Sequence, residues 1–262
     1  MRKKKDMSDK VDLFISTYKD FVPKVSNECY KVIHGNNFVT DCGGLQIIDC
    51  YQEDENLDDK FWSEIYMYKW LAKNWKFKKY IGTCQYRRYW WFLDDIPDID
   101  KYMKDHGAIV VTPHKFKCTV LRQYEIFHNS DDLLFCGDII RDLKPEYESV
   151  YKQVLNQSGF FPLNMFIMRK DDFLAYMDFI NTILDEYVKR VGTDIYKRIK
   201  VNREFYLKRD YPCSEADYQY RIGGYLAERL INVWLMKNFK HICAFDYIKT
   251  EKKYKFEKDD DL

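Results

Sequence analysis

The stretch best equipped for chemistry is Gln85-Tyr-Arg-Arg-Tyr-Trp-Trp91. Two adjacent guanidinium groups, Arg87 and Arg88, are rigid forks that match phosphate oxygens bidentately, and the four rings around them offer faces to a sugar or a base. An arginine pair facing solvent between core aromatics has the same spacing, so this pattern alone leaves both readings open. Late in the chain, Arg221, Gly224 and Glu228 fall at i, i+3 and i+7 and share one helix face. Gly224 there would let a ligand or a backbone approach closely, while a plain surface Arg–Glu pair is the alternative. Asp98-Ile-Asp100 is the only internal Asp-x-Asp. It sits in an acidic loop after Pro97, which makes Asp98 and Asp100 weak metal candidates.

These residues need elements to hold them. Val11-Asp-Leu-Phe-Ile-Ser16 reads as a first strand and Leu45 to Cys50 as a second. Phe61, Ile65, Tyr68, Ala72 and Trp75 recur at helical spacing, and the strand Lys79 to Tyr86 follows at once. Ala108 to Thr112 is another strand; helical stretches cover Val120 to Leu143 and Glu146 to Gln157. Asn164 to Met168 is the next strand, followed by a strongly periodic helix from Phe173 to Val191. Ser214-Glu-Ala-Asp217 resembles a capping box opening the last long helix, and His241 to Ile248 closes as a strand. The alternation predicts an α/β fold with a mostly parallel mixed sheet covered by helices on both faces and ligands at the carboxyl ends of the strands.

The remaining composition narrows the classes. Lys plus Arg (43) nearly cancels Asp plus Glu (42), and a net charge of +1 gives no field to gather nucleic acid. The basic start Arg2-Lys-Lys-Lys5 precedes no apolar run, so it reads as no signal peptide, and nothing later reaches the length of a membrane span. A cytoplasmic protein is expected, with at most peripheral contact of that basic start with an anionic leaflet at the inner face of the membrane. Eight scattered cysteines without a Cys-x-x-Cys read as reduced, buried thiols. Residues 1–10 and 251–262 read as solvated tails around one domain spanning 11–250. The first strand ends without a glycine, and no P-loop, His-x-x-x-His or Gly-x-Ser-x-Gly occurs, which disfavours dinucleotide enzymes and the better-known phosphate and hydrolase signatures.

Tyr80-Ile-Gly-Thr-Cys-Gln-Tyr-Arg-Arg-Tyr89 resembles the Tyr-Val-Gly-Leu-x-His-Tyr-Arg-Arg-Tyr signature of a family of capsular-polysaccharide and O-antigen glycosyltransferases. Phe14-Ile-Ser-Thr-Tyr-Lys19 is similar to that family's first strand, Glu64 to Asn74 to its Trp-rich helix, Phe161 to Met168 to its central strand, and Gly224 to Trp234 to its closing helix. The five ordered matches span about residues 11 to 236. Gln85 and Tyr18 stand where the family carries histidines.

The resemblance implies a GT-A-like single domain that transfers a sugar from a nucleotide-diphosphate sugar to a growing glycan, polysaccharide or lipid-linked, and the charge balance argues for no nucleic-acid partner. It implies Thr17, Tyr18, Lys19, Gln85, Tyr86, Asn164, Arg221 and Arg229 for donor binding and Arg87, Arg88, Glu228 and Asp132 for catalysis. Asp41 and Asp138 are further candidates for a general base, and His128 reads first as structural. A divalent cation, Mn or Mg, is left undecided, because the arginine pair could take the charge that a metal carries elsewhere. A binding module of the same fold that has lost catalysis is the alternative.

Overall fold

The computed structural model describes residues 7–35, 41–51, 59–192 and 221–250. The first strand, β1 (Val11–Ser16), is buried along its whole length. Val11, Leu13 and Ile15 feed one core and Phe14 the other, as the two-residue period of a strand requires. A strand covered on both faces needs parallel neighbours fed by crossovers. Here β2 (Tyr30–His34) and β4 (Tyr80–Gln85) flank it, both parallel, and β3 (Gln46–Asp49) extends the sheet beyond β2.

On the other side β4 pairs with β9 (Phe166–Arg169), which runs antiparallel to it, and then come β6 (Ala108–Val111) and β10 (Ile242–Phe245). The order β10-β6-β9-β4-β1-β2-β3 is thus parallel except at β9. Two short strands extend the sheet to nine: β5 (Arg88–Trp90) turns back antiparallel from β4, and β11 (Tyr247–Lys249) pairs with β5. A separate pair joins β7 (His114–Lys115) to β8 (Gly159–Phe160).

The two faces are clothed unequally. One carries α1 (Asp59–Trp62), α2 (Glu64–Asn74), α4 (Val120–Phe127), α5 (Ser130–Leu143), α6 (Glu148–Asn156), α7 (Lys170–Val191) and α8 (Ile222–Asn238), packed around Phe14, Ile81, Val110 and Phe166. Among the described residues the other is covered by one short helix, α3 (Ile99–Met103), with Trp90, Phe92 and Ile96 from the segment before it. Large rings, Trp90 at 0% exposure among them, pack on that face.

Several expected boundaries shift for identifiable reasons. The helix expected over Phe61 to Trp75 is broken at Ser63, whose φ of 52° separates α1 from α2. The stretch Val120 to Leu143 is likewise two helices. Thr119 caps α4 by accepting from the Arg122 N–H, and Asn129 caps α5 by accepting from the Asp131 N–H. The expected strand at 241–248 divides into β10 and β11. Order begins before residue 11: Met7 is 1% exposed in the core and Ser8–Lys10 form a 3-10 turn. The capping box at Ser214 to Asp217 lies outside the described residues, as do Arg2 to Lys5.

β2 escapes sequence reading because Lys31 and His34 interrupt its apolar run. Yet Lys31 donates to buried Asp12 at 2.9 Å, and Asp12 also accepts from the Lys78 backbone at 3.0 Å. Cys29, Cys42, Cys50, Cys84 and Cys136 are buried as expected, whereas Cys118 and Cys243 are half-buried and Cys213 lies outside the described residues. The described cysteines are free, and burial pushes Cys29 and Cys50 up to about 12.

Candidate active site at the carboxyl ends of β1 and β4

The register Ser16↔Gln85 brings the ends of β1 and β4 together, and the Tyr86 N–H donates to the Ser16 carbonyl at 3.1 Å. Beyond this edge opens a cavity of about 640 Å³. β1 supplies Ser16, Thr17 and Tyr18 to its wall, and the β4–β5 hairpin supplies Gln85 to Arg88. The 161–165 segment gives Leu163 and Asn164, and α8 gives Gly224, Tyr225, Glu228 and Arg229, with Arg221 just before it. Glu64 of α2, Gln123 of α4 and His128 complete the polar lining.

Tyr86 and Arg87 form the two-residue turn of the hairpin. The Arg87 guanidinium lies 4.8 Å from the Tyr86 ring centroid, and the Tyr86 hydroxyl is 2.8 Å from that of Tyr18. Arg221 approaches the other ring, 5.9 Å from the centroid of Tyr18. Arg88 donates from Nη1 to the Gln85 side-chain oxygen, while its buried Nε has no hydrogen-bond partner among the described residues. A desolvated guanidinium N–H with nothing to bond is a standing demand for an acceptor.

Gln85 donates from Nε2 to the Leu163 carbonyl at 3.2 Å, tying the hairpin to the next wall. Leu163 and Asn164 both have positive φ, 75° and 49°. Such backbone in non-glycine residues is strained and persists only where surroundings overdetermine it. Here Glu228 accepts from the Leu163 N–H at 2.6 Å, and the Asn164 carbonyl accepts from Thr83 at 2.9 Å and Tyr68 at 3.3 Å.

Ten of the twelve residues expected for donor binding or catalysis line this cavity; Lys19 and Asp132 do not. Lys19 lies over the Tyr86 ring, 5.2 Å from its centroid. Asp132 is 3% exposed and accepts from the Tyr187 hydroxyl at 2.7 Å, a buried tie between α5 and α7. Asp41 and Asp138 are exposed, and Asp138 pairs with Arg141 at 2.9 Å.

Two lining residues act mainly as braces. Glu228 spends one oxygen on Leu163 and the other on Arg229, at 2.6 Å each. Arg229, 2% exposed, also donates to Gln123 at 2.7 Å and lies over the rings of Tyr124 and Phe160. Gly224 has a different purpose from the one its spacing implied: a Cβ would stand 2.9 Å from the Ser63 Cβ, so the close approach it permits is that of the α1–α2 break. His128 stacks on Tyr225 at 4.0 Å and lines the cavity from that position.

The metal candidates fall elsewhere. Asp100 accepts from Lys10, Lys79 and Tyr80, near the amino ends of β1 and β4, and Asp98 is exposed. The two ammonium groups and the phenol hold the Asp100 carboxyl well below the usual range. Among the described residues no group of three or more His, Cys, Asp or Glu is placed to hold a metal ion, so these donors do not fit a divalent cation site. No described helix is long and apolar enough to cross a membrane.

Sequence reasoning gave no site role to Gln123, Phe127, Tyr225 or Glu64, all of which line the cavity. Glu64 and Tyr225 carried a signal, in their matches to the family helices.

The architecture is GT-A-like: mixed α/β, with a central, mostly parallel sheet flanked by helices. The chain belongs to the family described as a domain of unknown function (DUF4422), whose model matches residues 12–239. Among solved structures it is similar to the apo structure of the bifunctional glycosyltransferase WbbM. The TM-score is 0.66 at 18% identity, over 93% of this chain and 46% of that one. The chain therefore spans about half the length of that protein. The mannosyltransferase Ktr4p from S. cerevisiae aligns with a TM-score of 0.38 at 10% identity, over 88% of this chain and 67% of that one. No curated protein matches the chain significantly.

Proposed function

We propose that this chain is a glycosyltransferase that moves a sugar from a nucleoside-diphosphate sugar to a glycan acceptor. The observation that carries the reading is the convergence of Arg87, Arg88 and Arg221 on one cavity at the carboxyl edge of the sheet, with the Arg88 Nε buried and unpartnered. Departure of a nucleoside diphosphate leaves negative charge on its phosphates. Fixed guanidinium groups in a partly dehydrated site stabilise that charge without reorganising. Tyr18 and Tyr86, edge to face at 5.4 Å, offer ring surface beside the arginines for a nucleobase or ribose. The GT-A-like fold and the ordered family motifs support the same reading. The acceptor is a glycan, lipid-linked or free, and the cytoplasmic side of a membrane is where such a chain would meet a lipid-linked one.

A binding module without turnover is the second reading. Glu64 and Glu228, the two carboxylates lining the cavity among the described residues, are each hydrogen-bonded on both oxygens, which disfavours either as a free base.

Thermal melts with UDP, GDP, CDP and dTDP, each with and without Mn²⁺, test the proposal, since a ligand bound only by the native state raises the melting temperature. A rise with one nucleotide that survives EDTA is expected. No rise with any of them refutes the donor site, and a rise without sugar release from the matching donor favours the binding module.

A further inference from the structure

Asn164 is 2% exposed, lines the cavity, and sits in the strained turn described above. The orientation of its amide is settled by its neighbours. Nδ2 lies 2.8 Å from the Glu64 Oε1 and 3.3 Å from the Gly224 carbonyl, and both of those atoms only accept. The nitrogen must therefore face them, which leaves Oδ1 as a buried acceptor with no partner among the described residues. A dehydrated amide oxygen left unbonded costs about 1–3 kcal/mol, and backbone strain of this kind collects at ligand sites.

Glu64 adds to the same surface. Its Oε2 accepts from Ser63 and its Oε1 from Asn164, and each carboxylate oxygen can accept once more. The floor beneath Arg88 is thus a continuous chain, Arg88 to Gln85 to Leu163 and Asn164 to Glu64, that changes from cationic donor to neutral and anionic acceptors. A phosphate suits the first end. A group that presents hydroxyl donors suits the second.

We infer that Asn164 and Glu64 form the subsite for the hydroxyls of the transferred pyranose, and that the Asn164 Oδ1 accepts from one of them and so helps decide which sugar is taken. This rests on the donor reading above and orders the cavity: diphosphate at Arg88, sugar one hydrogen-bonded step further, over Asn164. Because the partner of Oδ1 must donate, an epimer that turns its hydroxyl away leaves the oxygen unbonded and is disfavoured. An ordered water satisfying Oδ1 is the competing account.

The test compares binding of UDP, GDP, CDP and dTDP with that of UDP-glucose, GDP-mannose, CDP-glucose and dTDP-glucose by calorimetry, and runs methyl hexosides by saturation-transfer NMR. Proteins are wild type, Asn164→Gly, which accepts the positive φ without strain, and Glu64→Gln as a second, nearly isosteric variant. The expected result is that the hexosyl group adds affinity in wild type. Asn164→Gly then loses about tenfold of that gain, with bare diphosphate affinity unchanged. Equal gains in wild type and Asn164→Gly overturn the subsite and assign Oδ1 to water. Failure of every diphosphate to bind overturns the donor reading instead; the methyl hexosides then decide the subsite, which falls if wild type and Asn164→Gly respond alike.

Discussion

Replacing Arg88 by methionine separates recognition of the diphosphate from recognition of the nucleoside. The substitution keeps most of the apolar stem and removes the fork. In the free protein the Arg88 Nη1 is committed to Gln85, while Nε is buried and has no hydrogen-bond partner among the described residues, so its dehydration cost is already met by folding. A phosphate oxygen reaching Nε therefore makes a charge-assisted hydrogen bond without stripping water from it, a contact of about 1.5–3 kcal/mol, or roughly 10- to 150-fold in Kd. Loss of the Gln85 contact costs about 1 kcal/mol of fold stability, which a urea titration measures separately. The assay is calorimetry with the nucleoside diphosphate that stabilises the wild type and with the corresponding nucleoside, at two salt concentrations. The expected outcome is a 10- to 150-fold loss for the diphosphate, with a weaker salt dependence, and little change for the nucleoside. Equal losses for both ligands, or none for either, would refute the assignment of phosphate to Arg88.

Three further expectations address the scaffold. Gly224→Ala places a Cβ 2.9 Å from that of Ser63 and is expected to cost about 1–3 kcal/mol in urea unfolding, with Ser63→Gly recovering part of it in the double variant. Lys31→Met leaves Asp12, 1% exposed, without its closest cation; the expected loss is about 3 kcal/mol, and a loss under about 1 kcal/mol would show that the Lys78 and Trp75 contacts suffice. The Asp100 carboxyl is depressed in the fold, so the stability it contributes is fully present above the unfolded value near 4 and is lost as pH falls towards the folded one. Asp100→Asn should thus cost about 1 kcal/mol at pH 7, and the difference from wild type should shrink steadily below about pH 4 in chemical denaturation.

Strands whose residues are mostly apolar or small were legible despite Asp12: Val11–Ser16 and Tyr80–Gln85 stand within a residue of where the sequence pattern puts them, and with them the edge that bears the site. The hairpin arginines do line the cavity, but their spacing suited a solvent-facing pair equally well, and what singled them out was the resemblance of Tyr80 to Tyr89 to the family signature. β2 was not legible, since its lysine and histidine look like surface residues until Asp12, nineteen positions earlier, is known to face Lys31. The breaks at Ser63 and at Asn129 left different traces. Asn129-Ser-Asp-Asp is a cap followed by acidic residues and could have been read, whereas the φ of Ser63 answers to Gly224 on a helix far along the chain. Roles within the cavity were least legible of all. Glu228 and Asn164 are both polar groups of the right kind, but only their hydrogen-bond partners show that one has both oxygens bonded within the fold while the other has an amide oxygen without a partner among the described residues.

The cavity wall runs from Ser16 to Arg229, and its floor is fastened by bonds between segments 60 to 100 residues apart, Glu64 to Asn164 and Leu163 to Glu228 among them. During synthesis from the amino end, β1, β2 and β4 are available to pair long before α8 exists, yet the pocket lacks a wall until α8 docks. Competence to hold a ligand therefore depends on the docking of α8, and a ligand that binds there stabilises only chains in which that wall is in place.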